Sequence, residues 1–297
     1  MKKIHVFGII TLVILASCTL IFATKANENL SEMRKGTAQY FPSEVDFAGE
    51  KTPLTIADVK ERFDRELLIN ANLHSSTILI IKRANRAFPI IEPILKQYGV
   101  PDDFKYLAVI ESALVNAVSP AGARGIWQFM PDTAKEKGME VSESVDERYH
   151  LIKSTEAACK YLLAAKQKFG NWTLAAASYN GGMTGVNTKI TEQKVSDYYD
   201  LLLTDETSRY VFRILALKEI MKNATSYGFQ LSNNELYEII PTKKIVVDST
   251  ITDLATFAKT QGINYKILKI HNPWLRDKKL SNPTKKKYEL EIPLSGY

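Results

Sequence analysis

Cysteine is scarce in this chain: only Cys18 and Cys159 occur in 297 residues. A disulfide framework is therefore excluded. Histidine is scarce too, with four scattered copies and no cysteine pair at ligand spacing, so no structural zinc site is expected and no metal or cofactor is implied. No run of five basic residues and no nucleic-acid motif occurs, so a nucleic-acid partner is not expected. The net charge of +6 is compatible with an acidic polymer, but it reads first as solvated surface lysine. What remains is an ordinary globular composition, 45% hydrophobic and 24% charged, with room for one or two domains.

Asp, Glu, Lys and Arg are all missing from Ile4 to Thr24, directly after Lys2 and Lys3. A positive start followed by an apolar stretch is the pattern of an export leader, here residues 1–24. Within it, Leu15-Ala16-Ser17-Cys18 resembles a bacterial lipobox, which makes Cys18 a candidate lipidation site. The residues after Cys18 stay apolar, and about 20 apolar residues can also span a bilayer uncleaved. A lipoprotein, an uncleaved anchor and a cleaved signal all stay open. Each places the body of the chain outside the cytoplasm, in the cell envelope, with the first two holding it at the membrane. Cys159, left without a partner, is expected as a small buried core residue.

Residues 25–52 are polar and weakly patterned and read as a tether. From Ile56 the pattern turns helical. Pro89, Pro93 and Pro101 punctuate this region, and Gly99 before Pro101 suits a helix end. A helix starting near Asp102 puts Phe104, Leu107, Ala108 and Glu111 on one face. Lys153 to Lys168 is amphipathic, with Ala158, Tyr161, Leu162, Ala165 and Phe169 as its stripe and Gly170 as its stop. Ser208 to Lys222 aligns Tyr210, Ile214, Leu217 and Met221. After Gly228 the character changes. Asn233-Asn234 and Pro241 mark a linker, and residues 245–293 read as strand, two short helices and strand, a β-α-α-β unit of about 50 residues.

The densest chemistry lies between Tyr106 and Gly182. Tyr106-Leu107-Ala108-Val109-Ile110-Glu111-Ser112 sets one carboxyl at the end of an apolar helical run. Apolar surroundings oppose ionisation and raise a carboxyl pKa, which a general acid working near neutrality needs. Alone, the Glu-Ser pair would read as a surface helix turn. It is followed by the Gly-containing loop Ser119 to Gly125, then by Ile126-Trp127-Gln128-Phe129-Met130-Pro131, then by Ser178-Tyr179-Asn180-Gly181-Gly182. Sugars are held by flat aromatic faces and by amide hydrogen bonds, and these segments carry both.

In this order the segments resemble the lytic transglycosylases with a goose-type-lysozyme-like domain, in particular the membrane-bound D-type group. Glu111-Ser112 resembles the catalytic Glu-Ser pair. Gly125 to Pro131 resembles the Gly-Leu-Met/Trp-Gln-Phe-Met-Pro motif, and Ser178 to Gly182 the Ala-Tyr-Asn-Ala-Gly motif. Glu206-Thr207-Ser208-Arg209-Tyr210-Val211 resembles the late Glu-Thr-Arg-x-Tyr-Val motif, with Ser208 at the expected Arg. The resemblance covers roughly residues 58–228. The tail resembles a LysM module: Asp248 to Ala255 stands at its first turn, lacking the usual Gly, and Asn272-Pro273-Trp274-Leu275 matches its Asn-Pro element.

The resemblance implies a mainly α protein: a lysozyme-like helical catalytic domain over 53–232, followed by a small α+β LysM-like domain. It implies non-hydrolytic cutting of peptidoglycan glycan strands, with Glu111 as acid and base. Ser112, Trp127, Gln128, Met130, Tyr179, Asn180 and Tyr210 are the implied substrate-side residues. Tyr179 and Tyr210 are expected to orient Glu111 or the sugar, Gln128 and Asn180 to take N-acetyl groups, and Trp127 and Met130 to line the subsites. Ser112 is expected to brace the loop. The LysM-like tail implies a second grip on the same polymer. Two rivals stay open: a lysozyme-type hydrolase with Glu206 or Asp132 as second carboxylate, and a catalytically inactive wall-binding protein.

Overall fold

Apolar spacing of three and four builds the helices, and their buried stripes build the core. In the computed structural model, which describes residues 40–295, α1 (Ala57–Asn72) buries Val59, Phe63 and Leu67. It packs along α8 (Asp205–Lys222), which turns Tyr210, Val211, Ile214 and Leu217 inward. Glu66 on α1 is 2% exposed and receives Arg209 Nε from α8 at 2.6 Å, so the two helices are also joined by a charged pair. Around them stand α2 (His74–Tyr98), α3 (Lys105–Ser112), α5 (Leu151–Phe169) and α6 (Trp172–Gly181). The short α4 (Pro131–Glu136) and α7 (Met183–Gln193) complete the helical part. The chain is mainly helical, as expected, with a small strand-containing domain at its end. Gly170 closes α5 in the left-handed region at φ 80°, and Cys159 inside that helix is buried and free.

Two expectations are corrected. Pro89 and Pro93 do not divide the chain, because α2 runs through both. Each proline removes a backbone donor and normally costs a helix about 3 kcal/mol. Here Pro89, Pro93 and Asn85, whose carbonyl loses its partner, are all exposed, so the freed groups lie on the solvent side of the helix. The other face is pinned by Ile91 and Leu95, both fully buried.

The polar stretch before Thr52 is not all tether. Asp46–Phe47 (β1) and Glu50–Lys51 (β2) form a tight hairpin that docks on the helices. Phe47 is fully buried edge-on against Phe104, with ring centroids 5.0 Å apart. Glu50 accepts the amides of Trp172 and Thr173 at 2.6 and 2.8 Å, capping α6 and complementing its dipole. Lys218 reaches Asp103 at 2.6 Å and the Asp46 carbonyl at 2.6 Å. The expected leader 1–24 with Cys18, and residues 25–39, lie outside the described residues. Among the described residues no helix is long and apolar enough to cross a membrane.

At the other end, β5 (Thr242–Val247) pairs antiparallel with β6 (Tyr288–Pro293), with Ile245 opposite Leu290. Helices α9 (Leu254–Thr260) and α10 (Tyr265–His271) lie between them in sequence, giving the β-α-α-β unit. Asp253 and Asn264 cap the two helices through side-chain oxygens. Asn272 is fully buried and ties α10 to β6, exchanging bonds of 2.8 Å with the Glu291 backbone. The linker before β5 is laid on the helical part, with the Tyr237 amide donating to the Lys82 carbonyl at 3.2 Å.

Candidate active site

Helix α3 ends where the site begins. Its residues from Lys105 to Ile110 are buried, and Ala113 (φ 51°) and Leu114 (φ 60°) then enter the left-handed region. Two consecutive non-glycine residues there store strain of about 1–3 kcal/mol each, which the surrounding packing must offset. The turn stops the helix just after Glu111 and leaves its carboxyl part-buried in the last turn. Burial pushes the Glu111 pKa up to about 7. The Tyr210 hydroxyl and the Arg213 guanidinium pull it down, and the Glu206 charge pushes it up. The negative end of the helix dipole acts in the same direction as burial.

Tyr210 is 1% exposed and donates its hydroxyl to Glu111 Oε1. Arg213, one turn on, donates to the Ile110 carbonyl at 3.0 Å. Helix α8 thus places one donor on the carboxylate and one cation close to it. Tyr179 lies within reach of the Glu111 charge, and burial and that charge drive its phenol pKa up. Its hydroxyl donates to the Trp127 carbonyl at 2.8 Å, and its ring is packed edge-on to Phe129 and Tyr161. Of the two tyrosines, Tyr210 contacts the carboxylate and Tyr179 holds the loop.

The loop itself is built on Gly125. It sits at φ +85°, and a Cβ there would lie 1.8 Å from the Arg148 carbonyl oxygen, so only glycine fits. It pairs with Ala117 in the short β3 (Ala117–Val118) and β4 (Arg124–Gly125) ladder. Ser112 donates to the Ile126 carbonyl at 2.8 Å and is buried, so it braces the loop against α3. Gln128 adopts φ 51° and donates its amide nitrogen to the Gly125 and Ala117 carbonyls at 2.6 and 3.2 Å. Those bonds engage both amide hydrogens. Met130 is 43% exposed at the start of α4.

Trp127 does not line a subsite. Its ring is fully buried and its N–H donates to Thr155 Oγ1 at 2.9 Å, so no face is open for a sugar to stack on. The motif residue that looked most like a sugar platform is a core residue beneath the loop. Asn180 is also differently engaged: it donates to Glu206 at 3.0 Å and accepts from Thr207 at 2.7 Å, joining the end of α6 to the start of α8. Glu206 is exposed in the first turn of α8, whose cap is Thr204. Asp132 is exposed, and its charge is not among those that shift Glu111. Arg209 is held by Glu66 rather than at the carboxylate.

One site component escaped the sequence. Arg148 is 3% exposed, forks onto Asp146 at 2.9 and 2.8 Å, and donates to the Gly122 and Phe129 carbonyls at 3.2 Å each. It therefore grips both flanks of the Gly125 loop. The only sequence signal is an Asp-x-Arg dyad, too short to stand out. Among the described residues no group of three or more His, Cys, Asp or Glu converges as metal ligands would.

Residues 88–202 match the family described as the transglycosylase SLT domain. The chain carries an SLT domain. Residues 243–296 match the soluble lytic transglycosylase C-terminal LysM-like domain. Over 235 residues the chain is 30% identical to the membrane-bound lytic murein transglycosylase D of Escherichia coli K12, and equally to that of Escherichia coli O6:H1 strain CFT073. The match takes in 76% of this chain and 50% of each relative, so the chain spans about half the length of the curated relatives it matches. Glu111, Gln128, Tyr179 and Asn180 lie inside the SLT match; Tyr210 lies just beyond its end.

Proposed function

We propose that this chain is a peptidoglycan lytic transglycosylase of the cell envelope. The observation that carries the reading is Glu111: a single carboxyl with a pKa pushed up to about 7, held by Tyr210 inside an SLT domain. Near neutral pH a large fraction of Glu111 is protonated, as a general acid requires. The acid donates its proton to the oxygen joining N-acetylmuramic acid to N-acetylglucosamine, and the glycosidic bond breaks. The resulting carboxylate takes the proton of the C6 hydroxyl of the same muramic residue, and O6 closes on C1. The product is a 1,6-anhydromuramic end, and Glu111 returns protonated. Because the nucleophile is internal, no second carboxylate has to position water, and well-oriented internal attack is worth roughly 7–11 kcal/mol.

Within this reading the Tyr210 hydroxyl holds the carboxyl in line and steadies its ionised state between the two proton transfers. The Gln128 oxygen, Met130 and the face around Asn180 meet the sugars, and Ser112 and Tyr179 fix the loop that presents them. Residues 53–232 act as the catalytic domain. An N-terminal leader with Cys18 as lipidation site, or as an uncleaved anchor, would hold the enzyme on the outer face of the membrane. The muramidase alternative has one supporting feature, since the Glu206 charge is felt at Glu111. Mass spectrometry of muropeptides released from purified sacculi separates the two. Products lighter by one water than the reducing-end species are expected. Reducing-end products would make water the nucleophile and Glu206 its base, and no product would leave a wall-binding protein.

A further inference from the structure

The C-terminal module resembles a free-standing binding domain, but it does not stand free. From Pro42 onward the chain forms one compact unit. The contact is made by a strap of the SLT domain, residues 140–150. Val145 of the strap forms a bridge with Leu275, the Asp146 amide donates to the Trp274 carbonyl at 2.9 Å, and the Arg276 amide donates to the Ser144 carbonyl at 2.9 Å. Val145 is fully buried and Tyr149 4% exposed, and both belong to the same apolar core as Leu254, Leu268 and Leu290 of the module. Trp274 stacks on His150 of the strap on one side and on Tyr288 on the other, and Arg276 lies 4.1 Å over the Tyr149 ring. At the rim, Lys286 pairs with Glu140 at 2.7 Å and Glu147 at 3.1 Å, and the Tyr288 hydroxyl donates to Glu140 at 2.9 Å.

The other side of the same strap is the wall of the active-site loop. Arg148 holds the Gly122 and Phe129 carbonyls, and its own carbonyl occupies the space a Cβ on Gly125 would need. The Gly125 loop in turn receives Ser112, the neighbour of Glu111, and Gln128 folds back onto it. Between the module and Glu111 there is thus a path of backbone bonds, one fork of guanidinium and carboxylate, and side-chain bonds from Arg148 and Ser112 to loop carbonyls. A module that only tethered the enzyme to its polymer would need none of this.

We propose that the C-terminal module is a positioning part of the active site, acting through the 140–150 strap, with Arg148 as the positioning residue that sets the Gly125 loop against Glu111. The catalytic half of this statement rests on the glycan-cleaving reading above; the mechanical half does not. Losing the docked module's grip loosens the loop and lowers turnover even on substrates too short to reach the module.

The test uses the whole chain. Lys286→Glu with Tyr288→Phe sets a third carboxylate beside Glu140 and Glu147 and removes the remaining rim donor; Lys286 is exposed, and phenylalanine keeps the buried Tyr288 ring in the core, so the fold is spared. Arg148→Lys removes the fork from the strap's inner side. Lys266→Glu, an equal charge change on the exposed face of α10, is the control. The readouts are hydrogen exchange at the Arg124 and Phe129 amides, each of which donates to the other residue's carbonyl across the loop, and kcat and KM on a short soluble glycan fragment. The rim variant and Arg148→Lys should each speed exchange about tenfold and lower kcat comparably with KM nearly unchanged, while the control matches wild type. Wild-type exchange in both variants overturns the link. Faster exchange with unchanged kcat would refute a role in positioning. Faster exchange in a protein that cleaves no glycan would sink the functional reading and leave the mechanical link standing.

Discussion

The same burial that equips Glu111 as an acid should destabilise the folded protein, and Glu111→Gln should reveal by how much. The carboxyl titrates near its ordinary value of 4.5 when unfolded and at about 7 when folded. Its folded pKa is raised, so between these values the folded state binds the proton more tightly. As pH climbs through that window, the wild type loses stability, and the loss is complete above pH 7. Holding the proton from 4.5 to about 7 corresponds to about 3 kcal/mol. Glutamine keeps the shape and an oxygen for the Tyr210 hydroxyl, and it does not titrate. Below about pH 4.5 the variant and wild type should therefore unfold at similar urea concentrations. Above pH 7 the variant should be more stable by up to about 3 kcal/mol, while its activity is lost. The assay is urea unfolding at pH 4.5 and pH 8, followed by fluorescence of the buried Trp127 and Trp274. A stability difference that does not grow with pH would refute the burial argument. Glycan cleavage above about a tenth of wild type would refute the assignment of Glu111 itself.

Other outcomes follow from individual contacts. Tyr210→Phe removes the donor that favours ionised Glu111, so the alkaline limb of the pH–rate profile should move to higher pH and kcat should fall about tenfold. Gly125→Ala drives a Cβ to 1.8 Å from the Arg148 carbonyl oxygen, and the loop must move; a loss of about 3 kcal/mol or more and near-complete inactivation should show in denaturation and turnover assays. Trp127→Phe should cost about 2 kcal/mol, from the lost bond to Thr155 and the smaller ring, with KM unchanged; a raised KM at wild-type stability would restore Trp127 as a sugar contact. Phe47→Ala should cost about 3–5 kcal/mol, as a core truncation does, whereas a tether residue would cost almost nothing.

Much of this protein was legible in its sequence because the signals are local. Periodicity located helices from near 102, over 153–168 and over 208–222, within a few residues of those observed, and alternation located the strand through Tyr288, Leu290 and Ile292, since both follow from which face must leave water. An acidic residue ending an apolar helical run pointed to a raised pKa, and resemblance gave the order of the motifs. Glycine at 125 marked a loop, but the reason no other residue fits is the Arg148 carbonyl, 23 positions away in sequence. Tertiary packing decided the rest. It turned Trp127 inward, because a large ring beneath a loop gains more from burial than from display. It drew the polar hairpin at 46–51 onto the helices, because Phe47 and Glu50 find partners far off in the chain. It let α2 pass through two prolines, because both face solvent. It seated the C-terminal module on the strap, because Val145 and Tyr149 complete its small core. Contacts between residues distant in the chain leave no pattern in a short window of sequence, and such contacts determine how Glu111 is held.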